Sequence, residues 1–542
     1  MSGHDPLALA EWQRVRRYAV PPRMIAECAD ARERGDRRAA WAAGRIDVSE
    51  AAADLVTHLA PDLLRWHLPR ALGGHTTLAV DQPHVLVPAD AVIGPDTVVP
   101  VVQALLSMYG SQRLRLDAAR WDELDLREVS LVPAHLWDAR HADDLRAAIG
   151  GSTTRAPAFT GAGDPLPAEA LGSSDDPASR GERARLTPTP AGAFAEAGFV
   201  IGEDPATPWP GYEDEQLLRV VDPVRLAHHL RLVTRQTGVT TWSLWAGHSD
   251  HLRCDVDGDT VRATWQSVGD YRTTTAWSLP RLHPDLVRHQ VDLDLIRAGR
   301  ITPAEVHPMV RAALFPSAPP LPSAGRGAVA APAPAVVAGA VRVRCRGDWH
   351  EIGVRLGRLD LPGHTDTERR RERALGAFGG AVSGCFAAEQ AWQGEPGRLP
   401  RRLRAHREDL WQLMIHGGTR TVFELLDAGM NPHLRDSRGR TLMHRARSFD
   451  YGRLLPRLLA EGLDVNARDK EGSTPLYLAV VHRWPADLII ALADAGADPR
   501  LPNQYDMSVI EHCDEILEIL DYLEDVDPDF ETAVAYLRER SP

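Results

Sequence analysis

The tetrapeptides "TLMH" at Thr441, "TPLY" at Thr474 and "SVIE" at Ser508 recur at a step of about thirty-three residues, as do "AGMN", "EGLD" and "AGAD" around Gly429, Gly462 and Gly496. A unit this short cannot bury an apolar face by itself. The period therefore restricts this part of the chain to a linear stack in which each unit packs on its neighbours. Inside one unit, Thr474 is placed to cap a helix whose first position is Pro475, where a missing amide proton costs nothing. Leu476, Ala479 and Val480 would form the buried face of that helix. A second helix is expected from near Pro485, burying Leu488, Ile489 and Leu492 and stopping at Gly496, which suits a left-handed cap.

The stretches "DSRGRTLMHRA", "LLAEGLDVNARD" and "EGSTPLYLAV" resemble ankyrin repeats, and the resemblance extends over residues 403–542, with the acidic last stretch as a C-terminal cap. It implies a C-terminal α-solenoid of helix pairs that recognises proteins through its turn tips and concave helix face. On that basis the candidate partner-binding residues are Arg435, Arg438, Arg440, Lys470, Glu471 and Ser473 at the tips, with Arg445, Phe449, Leu478 and Trp484 on or beside the first helices. Lys470 is the only lysine in the chain. Three departures from the pattern stand out. Leu442 occupies a proline position, Asp450 and Arg483 replace the glycine between helices, and "HRWPAD" carries one residue too many. This altered turn is expected to expose Trp484.

The rest of the chain reads as multidomain α+β. Residues 1–150 mix helical and extended signals and suggest a mixed α/β domain. Residues 151–200 are poor in large apolar side chains and are expected to form a flexible low-complexity insertion. Residues 201–315 suggest an α+β domain with a β-hairpin at 252–265, where Leu252, Cys254 and Val256 alternate with polar residues before the turn "DGD". A Pro/Ala-rich linker follows at 316–340. Residues 341–400 read as a small hairpin-helix module ahead of the repeats.

Composition narrows the chemistry. The net charge of −13 disfavours nucleic acid as a partner. The five cysteines, Cys28, Cys254, Cys345, Cys385 and Cys513, are far apart and form no CxxC pair, which argues against a disulfide framework or a zinc ribbon. Of His248, Asp250, His251 and Cys254 in "HSDHLRC", His248 and His251 would point to opposite faces of a strand, and "DVDGD" lacks the glutamate a calcium loop needs. No nucleophile elbow, dinucleotide fingerprint or phosphate loop is present. No catalytic, cofactor-binding or metal-binding residue is therefore predicted. The absence of a long apolar run and of a signal-peptide pattern predicts a cytoplasmic location without membrane contact, and the arginine bias suggests a bacterial source. The functional expectation is an intracellular adaptor, scaffold or regulatory module without catalysis. The alternatives are an enzyme or toxin-like effector in the upstream region with the repeats as a targeting module, or repeats that only stabilise their own chain.

Overall fold

The computed structural model describes residues 6–69, 83–104, 113–205, 207–213, 215–246, 250–267, 276–320, 338–355, 357–378, 382–393, 399–522 and 528–540. The chain divides into two compact units, Met1–Met108 with Gln112–Val329, and Ala330–Pro542. The linker expected at 316–340 lies largely outside the described residues.

The first unit holds two sheets. A five-stranded sheet runs in the order Ile46–Val48, Leu114–Arg120, Val98–Ala104, His84–Val87, Ser130–Pro133; its outer pairs are parallel and its inner pairs antiparallel. A four-stranded sheet runs Phe199–Gly202, Thr260–Ser267, Asp250–Asp257, Thr241–Ala246. Its central hairpin pairs Leu252 with Trp265, Cys254 with Ala263 and Val256 with Val261, so the alternating apolar positions point into the core. Residues from Val20 to Phe315 share one hydrophobic core, which runs across the segments 1–150 and 201–315 read from the sequence as domains. Buried carboxylates fasten its sequence-distant parts. Asp292 accepts from Arg16 Nε at 2.7 Å and Trp66 Nε1 at 3.2 Å. Asp62 pairs with Arg32 and with His307 Nε2, the latter at 3.0 Å.

The segment 151–200 is ordered, contrary to the flexible insertion its composition suggests. It carries helices at Pro177–Leu186 and Pro190–Glu196, and Phe159 is fully buried against Phe315. The reason is polar. The buried Glu182 carboxylate accepts from Arg155 Nη1 at 2.5 Å and from the amides of Ala158 and Gly172, each at 2.7 Å. Four charge-assisted bonds of this kind, counting Arg155 to Asp176, close the loops that apolar burial alone would leave open.

The second unit begins with a three-stranded antiparallel sheet, Ala338–Cys345, Asp348–Arg355 and Arg358–Asp360, followed by helices Asp366–Ala377 and Gly384–Gln393. Helix Arg401–Asp427 is broken at Gly418, whose φ of 73° and ψ of −170° turn it into a helix pair. Three further helix pairs follow: Met443–Ser448 with Tyr451–Ala460, Pro475–Val481 with Ala486–Asp494, and Val509–Tyr522 with Pro528–Glu539. Met443–Ser448 is a 3₁₀ turn, not a full α-helix; it is the one that begins with Leu442 where the pattern has proline. Sheet module and repeats share one core from Val341 to Leu537, and the Trp392 indole donates to Gly357 O at 2.8 Å within it.

Candidate partner-binding groove

Three turn tips carry the same construction. The amides of Asp436, Asp469 and Asn503 donate to the carbonyls of Arg440, Ser473 and Met507 at 2.9, 3.0 and 3.0 Å. The side chain at the first position of each tip accepts two amides from inside its own loop: Arg438 and Arg440, Glu471 and Ser473, Tyr505 and Met507. This is the Asx-turn logic, applied once per repeat. Successive tips then join backbone to backbone, Lys470 N to Arg438 O at 2.9 Å and Gln504 N to Glu471 O at 3.2 Å. Gly472 permits the second junction, since its φ is +74° and a Cβ there would lie 2.8 Å from Gln504 N.

His444 links the first helix of one repeat to the next. Thr441 N donates to His444 Nδ1 at 3.1 Å, so Nε2 carries the proton and donates to Ser473 O at 3.1 Å. Burial pushes its pKa from the ordinary 6.5 down to about 4, opposed by the Ser473 bond and by Asp469. Below pH 6.5 the unfolded chain takes up a proton that the folded chain refuses. The stability from neutral His444 is thus complete above pH 6.5 and is lost as pH falls toward 4, by up to about 3 kcal/mol. Urea titrations of the repeat transition between pH 7 and 4 should show this slope. It should flatten in His444→Gln; an unchanged slope would exclude His444 as its source.

The predicted residues fall into four groups. Arg438, Arg440, Glu471, Ser473 and Leu478 line one groove of about 270 Å³. Arg438 and Glu471 are exposed at its rim, whereas Arg440, Ser473 and Leu478 form its buried floor. Arg435 and Lys470 serve the architecture: Arg435 Nη1 donates to Gly439 O and Arg468 O at 2.7 and 2.8 Å, and Lys470 Nζ to Ser437 O at 2.9 Å. Arg445 pairs with Asp436 at 2.9 Å and lines a smaller cavity of about 60 Å³ with Arg404 and Trp411. Phe449 and Trp484 are core residues.

Trp484 corrects the expectation of exposure drawn from "HRWPAD". Helix Pro475–Val481 ends with Arg483 N bonded to Val480 O at 3.0 Å and Trp484 N to Ala479 O at 2.8 Å, with Arg483 left-handed at φ 45°. That is a Schellman cap with arginine where glycine is usual. The cap folds the residue that follows back onto the helix, so Trp484 is only 3% exposed.

Six groove residues escaped sequence reading, Val481, Asn503 and Gln504 together with the aromatic Tyr477, His482 and Tyr505. Tyr505 is 77% exposed beside the half-buried Tyr477 and His482. Its signal was available in principle, since "NQYDM" occupies the tip register of "DKEGS" with an aromatic at the outermost turn.

In the first unit a different polar arrangement is present. His135 and His229 are buried and His67 half-buried, and His67 Nε2, His135 Nε2 and both ring nitrogens of His229 have no hydrogen-bond partner among the described residues. Burial, reinforced by Arg225, drives all three well below the ordinary histidine range, His229 to about 3.

Comparison with known proteins is consistent with the tip geometry. Residues 410–503 match the family model for ankyrin repeats, in three copies. Ankyrin repeat-containing protein P1E11.10 of Schizosaccharomyces pombe is 33% identical over 118 residues, covering 21% of this chain and 56% of that protein. Protein phosphatase 1 regulatory subunit 12A of Rattus norvegicus is 29% identical over 141 residues, 26% of this chain and 13% of that one. NF-kappa-B inhibitor delta of Mus musculus is 34% identical over 84 residues, 15% and 24% respectively. The chain thus spans about half the length of the first relative and less of the others, and all three are eukaryotic, so they lend nothing to the bacterial source suggested by composition. Residues 410–503 are ankyrin repeats. Among the described residues no helix is long and apolar enough to cross a membrane.

Proposed function

We propose that this chain is an intracellular adaptor or regulatory protein whose repeats stack as an α-solenoid and capture a protein partner without chemistry. The observation that carries the reading is the groove headed by Tyr505. An exposed aromatic beside Arg438, Glu471, Tyr477 and His482 combines the residue types that dominate binding hot spots with a concave, half-polar floor. The names of the relatives, a phosphatase regulatory subunit and an inhibitor, support a regulatory role.

Replacing Tyr505 and Arg438 together by alanine should weaken partner capture by tenfold or more, on the order of 2 kcal/mol, and leave the thermal midpoint unchanged because both side chains are exposed. Affinity capture from the native host followed by titration of the recovered partner measures it. Capture that stays unchanged would sink the groove as the recognition surface. It would favour a second reading, in which the first unit is an effector or enzyme. The clustering of His67, His135 and His229, which act on one another electrostatically inside the first unit, supports that reading.

A further inference from the structure

Two cysteines and two histidines that sequence spacing keeps apart meet in the module ahead of the repeats. Cys345 ends the first strand of the hairpin and His350 lies on the second. His364 follows the third strand, and Cys385 sits in the first turn of helix Gly384–Gln393. One ligand-type atom from each lies within 4.8 Å of the other three. His350 Nδ1 is 2.9 Å from His364 Nε2 and 3.6 Å from Cys385 Sγ. Both thiols are buried and free, and the His364 ring is nearly so.

We infer that Cys345, His350, His364 and Cys385 form a structural zinc site. A tetrahedral zinc ion with sulfur at about 2.3 Å and nitrogen at 2.0–2.1 Å requires sulfur–nitrogen edges of about 3.6 Å and nitrogen–nitrogen edges of about 3.3 Å. The Cys385–His350 separation matches the first edge, the His350–His364 separation is about 0.4 Å short of the second, and all four atoms lie within 4.8 Å of one another. A hydrogen bond between the two imidazoles would explain the 2.9 Å contact alone, but it gives no reason for two thiols to converge on the same point. The backbone is shaped around that convergence. Arg346 and Gly347 form the two-residue hairpin turn with φ of 52° and 100°, which sets Cys345 and His350 on one end of the ladder. Gly384 is left-handed at φ +63°, and a Cβ there would lie 2.7 Å from Cys345 Sγ. Only glycine brings Cys385 so near Cys345. Beyond the four atoms, Glu368 Oε2 lies 4.0 Å from His364 Nδ1, on the far side of the ring from its ligand nitrogen. That oxygen is held by Thr365 N and Oγ1 at 2.9 and 3.1 Å, and its charge favours a proton on Nδ1 through space, which leaves Nε2 as the ligand nitrogen.

Two thiolates and two neutral imidazoles select zinc among common cations, and an all-protein tetrahedron with no open position marks a structural role. On binding, each thiol releases its proton, and two thiolates with one zinc dication leave the site neutral. The ion would join hairpin, loop and helix at the edge of the shared core, and because the four ligands converge only in the folded module its binding energy becomes folding energy. The four residues are separated by four, thirteen and twenty positions, with no CxxC or HxxxH pair; sequence reading therefore excluded zinc, and folding supplies what spacing does not.

Elemental analysis of the full chain, purified without added chelator, should find close to one zinc per molecule. Cys385→Ser and His350→Ala should each reduce it to background, while Cys513→Ser, a buried thiol in the last repeat, should retain it. His364→Cys should also retain it, because the substitute is itself a ligand. If the ligand variants fail to fold, cobalt exchange into the unaltered protein reads the site directly through thiolate-to-cobalt charge transfer and strong tetrahedral bands. A folded, zinc-free protein that yields no such bands on cobalt addition would overturn the inference, whether Cys345 and Cys385 are then free thiols or a disulfide. Zinc retained in the Cys385→Ser, His350→Ala double variant would overturn it as well.

Discussion

Trp484→Ala should destabilise the repeats by about 3–5 kcal/mol, the range for removing a buried indole from a packed core. The side chain lies among the buried residues of the second unit's core, where it follows the helix cap formed by Arg483. Its loss leaves a cavity in that core, beside a cap whose backbone is held by the Trp484 N to Ala479 O bond and so resists collapse. Trp484→Phe separates packing from polarity. The indole Nε1 is buried without a hydrogen-bond partner among the described residues, so phenylalanine removes an unsatisfied donor while keeping most of the volume. Its cost should stay near about 1 kcal/mol. Urea unfolding followed by far-ultraviolet circular dichroism distinguishes the two. A Trp484→Ala protein with wild-type stability and lost partner capture would instead restore Trp484 to the binding surface.

That reversal shows where sequence is informative and where it is not. The tip and helix signals are local: Thr474 accepts the Tyr477 amide and Pro475 opens the helix, both within a few residues of the motif that announces them. The hairpin around Gly258 is legible for the same reason, since strand alternation and turn residue are neighbours. Trp484 failed because arginine in a left-handed position gives no glycine signature, although it performs the same cap. The segment 151–200 failed because Glu182 organises it through bonds to Arg155, Ala158 and Gly172, and composition registers only its lack of apolar bulk. The cysteine-histidine cluster draws its members from a strand end, a strand interior, a loop and a helix start. No periodic pattern brings those four together; only the tertiary fold does. The groove was half legible. Five predicted residues line it, yet Tyr505, its exposed aromatic, sits where the repeat departs from "DKEGS".

Arg440 is a predicted contact residue whose principal partner belongs to its own chain. Its Nε donates to Asp469 Oδ2 at 3.0 Å, and the two side chains are 5% and 0% exposed. Asp469 already holds its tip closed with the other oxygen, so the arginine ties one repeat's tip to the next. Arg440→Leu should cost about 3–5 kcal/mol, because it leaves a buried carboxylate without a counter-charge. The following repeat indicates the remedy. Its tip places Asn503 where Asp469 stands, and the amide oxygen accepts the same two backbone amides without a charge to compensate. Arg440→Leu combined with Asp469→Asn should therefore recover most of the loss, as a neutral pair replacing a buried ion pair often does. Denaturant midpoints of the wild type, both single variants and the double variant form a cycle with a coupling of at least about 2 kcal/mol. Additive losses would mean that the pair contributes no coupling and that Arg440 is free to serve a partner at the groove floor.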